Sequence, residues 1–149
     1  MDVSGNISVI LGQKGREVYS ISPDSTVYDA IAMLADKNVG AVLVMKGEKL
    51  VGLFSERDYT RKVALRGKRT RETKVSEIMS TELKTINPSQ GIEECLRLMT
   101  DKRIRHLPVL DGDKVIGVIS IGDLVKWVIS CQSAAIAHLE NYISGGYTA

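Results

Sequence analysis

The chain contains one pattern twice. The segment SISPDSTVYDAIAMLADKNVGAVLVMKGEKLVGLFSERDYTRKV, beginning at Ser20, aligns without a gap on TINPSQGIEECLRLMTDKRIRHLPVLDGDKVIGVISIGDLVKWV, beginning at Thr85. The offset is a constant 65 residues, so that Pro23 meets Pro88, Gly52 meets Gly117 and Asp58 meets Asp123. Roughly a quarter of the aligned positions are identical, and a single offset held over that length marks a duplicated structural unit. A unit of about 45 residues is too small to bury a comfortable core alone. The two copies are therefore expected to pack on each other about a pseudo-twofold axis.

Each copy carries the same element signals in the same order. A short extended run (18–22; 83–87) meets Pro23 or Pro88, and Thr26 with Asp29, or Gly91 with Glu94, then marks a helix start. Val27, Ile31, Leu34 and Ala35 in the first helix, and Ile92, Leu96, Leu98 and Met99 in the second, recur at helical spacing and are assigned to the core. GAVLVMKGEKLVGLFS and RHLPVLDGDKVIGVIS read as β-hairpins with turns at Gly47 and at Asp111-Gly112, each followed by another helix. The expected fold class is α+β: two β-α-β-β-α repeats with flanking N- and C-terminal helical segments. The expected divisions are an N-terminal segment 1–17, repeat one 18–66, a linker 67–82, repeat two 83–131, and a C-terminal helix and tail 132–149.

Composition narrows the function. At 149 residues the chain is one domain or two very small ones, and 5% aromatic residues is low for recognition of bases mainly by stacking. A net charge of +2 does not make long-range attraction to polyanions the default, so nucleic acid is not an expected partner. The rival reading places a nucleic-acid regulator on the basic segment 61–74, whose Lys68, Arg69, Arg71 and Lys74 otherwise form a solvated connection. No signal peptide or membrane span is legible, and the chain is expected in the cytoplasm. Cys95 and Cys131 lack a C-x-x-C partner or companion ligands, so neither a disulfide framework nor a metal site is expected.

The closing stretches GLFSERD and GVISIGD raise a choice. Ser55 with Asp58, and Ser120 with Asp123, have the spacing of a helix capping box, which accounts for Ser and Asp without any ligand. In the first copy Arg57 and Arg61 stand four apart and could grip an anion together. In the second, Gly122 replaces the arginine, while DKRIRHLP supplies Lys102, Arg103, Arg105 and His106 before a strand. Across a twofold cleft these could reach a phosphate held by the other copy.

The element order, the proline after the first extended run, RHLPV opening the second hairpin and the closing Gly-h-h-Ser-x-x-Asp (h, hydrophobic) together resemble the cystathionine-β-synthase (CBS) domain, which occurs as tandem pairs called Bateman modules. The resemblance covers roughly residues 18–129. It implies a cleft for adenine-containing ligands: AMP, ADP, ATP, S-adenosylmethionine or NAD(H). It also implies that Asp58 and Asp123 accept hydrogen bonds from ribose hydroxyls, with Ser55 and Ser120 facing ribose or phosphate. An ionised carboxylate has two acceptor oxygens for a vicinal diol, and a helix N-terminus behind it favours phosphate.

By the same resemblance the adenine slot falls on Ser20, Ile21, Gly40, Ala41 and Val42 in copy one. In copy two it falls on Thr85, Ile86, Arg105, His106, Leu107 and Pro108. Because Gly40-Ala41 stands where copy two has Arg105-His106, the first slot is expected to be roomier and less charged. Two inequivalent sites follow, one for a mononucleotide and one for a dinucleotide such as NAD(H).

No catalytic constellation is legible. The Gly47–Gly52 and Gly117–Gly122 spacings lack the Lys-Ser/Thr of a phosphate loop, and His106 and His138 have no recognisable nucleophile or carboxylate arrangement beside them. The expected protein is a non-catalytic sensor that signals by changing shape or assembly, with an S-adenosylmethionine-binding module as an alternative. The resemblance further implies a homodimer with helices at its interface and an unidentified regulated protein. Val125, Val128, Ile129, Ile136, Leu139 and Ile143 fall near one stripe of the last helix, which either docks on its own module or pairs with a second chain.

Overall fold

Pro23 and Pro88 do more than end the extended runs; their carbonyls receive the segment that leads into the opposite copy. The computed structural model describes residues 5–145, so residues 1–4 of the expected N-terminal segment and 146–149 of the expected tail lie outside the described residues. Helix α1 (Ile7–Lys14) precedes the first repeat, which consists of β1 (Ser20–Ile21), α2 (Val27–Lys37), β2 (Ala41–Lys46), β3 (Lys49–Ser55) and α3 (Glu56–Asp58), the last running on as a π-wound segment Tyr59–Ala64. The second comprises α4 (Ile92–Lys102), β4 (His106–Asp111), β5 (Lys114–Ser120) and α5 (Ile121–Gly145).

The duplication survives in detail. β2 and β3 pair antiparallel with a register shift after Val44, and β4 and β5 do so with a shift after Val109. Two-residue turns start at Gly47 (φ 63°) and Gly112 (φ 61°), a left-handed conformation that suits glycine. Asn38 and Arg103 close α2 and α4 with equivalent left-handed caps. Thr26 caps α2 by accepting from the Asp29 N–H at 3.1 Å, whereas Gly91 offers α4 no side-chain cap.

Two sequence expectations need correction. The extended run 83–87 forms no strand and is reduced to a single parallel bridge between Ile86 and Val109. In α2 it is Ala30, not Ala35, that is buried with Val27 and Leu34, because the buried face drifts from the i, i+4 row assumed from sequence. The four linker cations are solvated as expected, but residues between and after them are not. Thr73, Val75 and Ile78 are buried against repeat one, while Lys68, Arg69, Arg71 and Lys74 stay exposed, with Arg71 stacked 3.7 Å from the Tyr28 ring centroid.

Each lead-in segment crosses to the other copy. Ser8 N–H donates to the Pro88 carbonyl at 2.9 Å, and Ser76 N–H donates to the Pro23 carbonyl at 3.0 Å. Ile7, Ile10 and Leu11 of α1 join the core of repeat two, while Val75 and Ile78 join that of repeat one. Full burial of a side chain such as Ile7 or Leu11 is worth roughly 1.5–3 kcal/mol, which anchors α1 on repeat two. The two strand glycines make room for these segments. A Cβ on Gly117 would lie 2.6 Å from Leu11 Cδ2, and one on Gly52 would lie 2.5 Å from Met79 Sδ.

Candidate functional site

Both capping boxes form. Ser55 Oγ accepts from the Asp58 N–H at 3.2 Å while Asp58 Oδ2 accepts from the Ser55 N–H at 3.0 Å. Ser120 and Asp123 repeat the exchange at 3.1 and 2.8 Å. The cap therefore accounts for one oxygen of each carboxylate and leaves the other to be decided by surroundings.

Those surroundings differ. Asp58 Oδ1 accepts from Ser80 Oγ at 3.1 Å and pairs with Lys62 Nζ at 3.0 Å, so both oxygens of this buried carboxylate are engaged. Lys62 Nζ also donates to the Ile78 carbonyl at 3.1 Å. Asp123 Oδ2 receives Lys14 Nζ at 2.6 Å, and the same ammonium donates to the Val118 carbonyl at 2.7 Å. Its Oδ1 has no hydrogen bond among the described residues. Burial works to raise the Asp123 carboxyl, but the Lys14 ammonium and the Ser120 N–H outweigh it and hold it below the ordinary carboxylate value.

Two clefts lie between the repeats, and each is lined by residues of both. The Asp123 cleft, about 450 Å³, combines Ser120 and Asp123 with Gly40, Ala41 and Val42 of repeat one. The Asp58 cleft, about 960 Å³, combines Ser55, Arg57, Asp58 and Arg61 with Arg103, Arg105, His106 and Pro108 of repeat two. Gly40 and His106 line both, and a Cβ on Gly40 would lie 3.4 Å from His106 Cε1.

Several expected positions fall elsewhere. Ser20, Ile21, Thr85, Ile86 and Leu107 line neither cleft; Ile86 and Leu107 are 2% and 0% exposed, consumed by the core, and their neighbours Tyr19 and Lys84 face the clefts instead. Gly122 also lines neither, with only Ser120 Oγ within reach of a Cβ there, at 3.6 Å. The slot beside Gly40-Ala41 is less charged, but it is the smaller of the two, with Lys14 and Gly15 among its lining residues.

The charges sort the clefts. Arg57, Arg61, Lys62, Lys84, Arg103 and Arg105 surround the Asp58 cleft against Glu56, Asp58 and Glu82, a surplus suited to several phosphates. Arg57 Nη1 is tied to the Arg103 carbonyl at 3.1 Å, linking the repeats across it. The Asp123 cleft is balanced, with Lys14 and Lys37 against Glu17 and Asp123. Burial first, and then the Lys14 charge, lowers the His106 pKa below 6.5, so its ring is neutral at pH 7 and able to donate and accept. Among the described residues no group of three His, Cys, Asp or Glu could hold a metal ion.

Lys14 and Lys62 were not singled out from sequence. Lys62 stands four residues after Asp58, a spacing that could have flagged it. Lys14 is separated from Asp123 by 109 residues and carries no such signal.

A family model of the CBS domain matches residues 15–65 and again 75–130. The mitochondrial CBS domain-containing protein CBSX3 of Arabidopsis thaliana is 40% identical over 153 residues, covering 97% of this chain and 74% of its own. A solved protein with CBS domains from Burkholderia ambifaria, provisionally assigned to signal transduction, is 47% identical with a TM-score of 0.82, over 85% of this chain and 95% of that one. The CBS domain pair of MJ0100, solved with 5′-methylthioadenosine and S-adenosyl-L-methionine, shares the fold at 18% identity and a TM-score of 0.75, over 85% and 97% of the two chains.

Proposed function

The chain belongs to the CBS-domain family as a tandem pair, and from that premise we propose that it is a non-catalytic regulatory module sensing adenine nucleotides in the clefts between its repeats. The observation that carries this reading is the Asp123 carboxylate, capped on one oxygen, uncommitted on the other and facing a 450 Å³ cleft. That volume lies within the range of small-ligand pockets, and the free oxygen is an acceptor for a ribose hydroxyl. Ser120 and Asp123 would hold ribose, with adenine against Gly40, Ala41, Val42 and His106. Arg57, Arg61, Arg103 and Arg105 of the wider cleft would hold phosphates of a second ligand, such as ATP or NAD(H). A ligand shifts such a module only by preferring one of its states, whether of shape or of assembly.

Calorimetric titration with AMP, ATP and NADH tests the reading. Asp123→Ala is expected to weaken binding by about 10- to 150-fold, from roughly 1.5–3 kcal/mol for a charged hydrogen-bonding group. Unchanged affinity would reject the assignment. The MJ0100 complex supports a second reading, an S-adenosylmethionine module, which competition between that ligand and AMP would separate. The module is read as cytoplasmic, in keeping with free thiols at Cys95 and Cys131, and as a homodimer acting on a regulated protein.

A further inference from the structure

The two carboxylates have equivalent lysines from inequivalent sources. Lys62 and Lys14 each bridge an aspartate oxygen and a main-chain carbonyl, but Lys62 lies in the same repeat as its partner, while Lys14 ends a helix outside both repeats. Position 127, where repeat two would carry its own counterpart of Lys62, is tryptophan. Lys14 is thus the only cation contacting Asp123 among the described residues, and it sits at the wall of the cleft.

We propose that Lys14 sets the ligand class of this cleft: its ammonium passes from Asp123 to the 5′-phosphate of an incoming adenosine nucleotide, so that phosphorylated adenosines are selected over uncharged ones. The inference rests on the nucleotide reading above. A vicinal diol offers two donors to Asp123, yet Oδ2 already accepts the Ser120 N–H and the Lys14 ammonium, and only the second can leave without opening the helix cap. An ammonium displaced inside a half-buried cleft needs a new anion. Glu17 is the remaining acid on the wall, and a ligand phosphate supplies stronger, doubly charged acceptors. Ile7, Ile10 and Leu11 hold α1 in place, so the exchange needs only rotation of the flexible lysine stem.

The test is calorimetric titration of wild type, Lys14→Met and Asp123→Ala with AMP, adenosine and 5′-methylthioadenosine. Wild type is expected to bind AMP at least about tenfold tighter than adenosine, and Lys14→Met to bring the two within about threefold, by weakening AMP and by tightening adenosine, which no longer has to displace the ammonium from Asp123. 5′-Methylthioadenosine should follow adenosine. A helix-anchoring role alone would instead weaken all three ligands in proportion, and that result, or an unchanged AMP-to-adenosine ratio, overturns the proposal. Lys14→Gln gives the same readout if the methionine variant does not fold. Wild-type binding that Asp123→Ala leaves intact, or no binding of any ligand, would instead overturn the nucleotide reading itself and this inference with it.

Discussion

Asp58 and Asp123 have the same neighbours in sequence and different neighbours in space, and their substitution should separate accordingly. Asp58 is 6% exposed and ties together its own cap, Ser80 and Lys62. Asp58→Asn is expected to cost about 1–3 kcal/mol of stability, seen as a lower thermal midpoint, because it leaves a half-buried lysine without its counter-charge. Asp123 should matter more for ligand than for folding. Its carboxyl is lowered from the ordinary 3.8, so the unfolded chain takes up this proton first as pH falls. The pair with Lys14 therefore stabilises the fold fully above that value, and the contribution is lost as pH falls through the lower, folded value. Denaturant unfolding at a series of acidic pH values should show a shallower loss in Lys14→Met than in wild type. Equal slopes would argue against the pair. Cys95 stands apart from this chemistry, its thiol pushed up to about 11 by burial and by Glu94, and behaves as core.

At the scale of elements, α1 behaves as part of repeat two although it precedes repeat one. The contact between Leu11 and Gly117 tests that arrangement, since a Cβ at 117 cannot coexist with Leu11 Cδ2 as placed. Gly117→Ala is expected to destabilise by about 1–3 kcal/mol through overpacking. Combined with Leu11→Ala, which alone costs about 2–5 kcal/mol by leaving a cavity, its penalty should shrink, giving a coupling detectable in a double-mutant cycle. Strict additivity of the two unfolding free energies would mean that α1 does not pack on β5. The same logic applies to Gly52: a glycine in a strand marks close approach by a ligand or by another part of the chain, and at Gly52 and Gly117 it is the chain, through Met79 and Leu11.

For the whole molecule the last helix is decisive. α5 runs from Ile121 to Gly145, but Val125, Ile129, Ile136, Leu139 and Ile143 are 46–63% exposed, while Trp127 and Val128 pack on the core of repeat two. The exposed positions are spaced alternately by four and three once Gln132 is counted, the pattern of a helix–helix seam. In the homodimer proposed above a second chain covers this stripe. Light scattering should give the mass of two chains for wild type and of one for Ile136→Glu, and a monomeric wild type at about 100 μM would argue against the dimer. Among the described residues no helix is long and apolar enough to cross a membrane, so α5 is not read as a span.

The repeat, both hairpins, the helix starts and both Ser–Asp caps were legible in the chain because they rest on local spacing: alternation in strands, turn glycines, and a cap reaching three residues. Arg57, Arg61, Arg103 and Arg105 were legible for a related reason, since the twofold relation implied by the repeat brings these segments to one cleft. What lay beyond sequence was everything decided by where the lead-in segments go. That α1 crosses to the far repeat, that Lys14 reaches Asp123, and that Ser80 closes on Asp58 depend on contacts between residues without a shared periodicity. Such contacts are set by which apolar faces the assembled cores leave uncovered, and only the folded chain selects them.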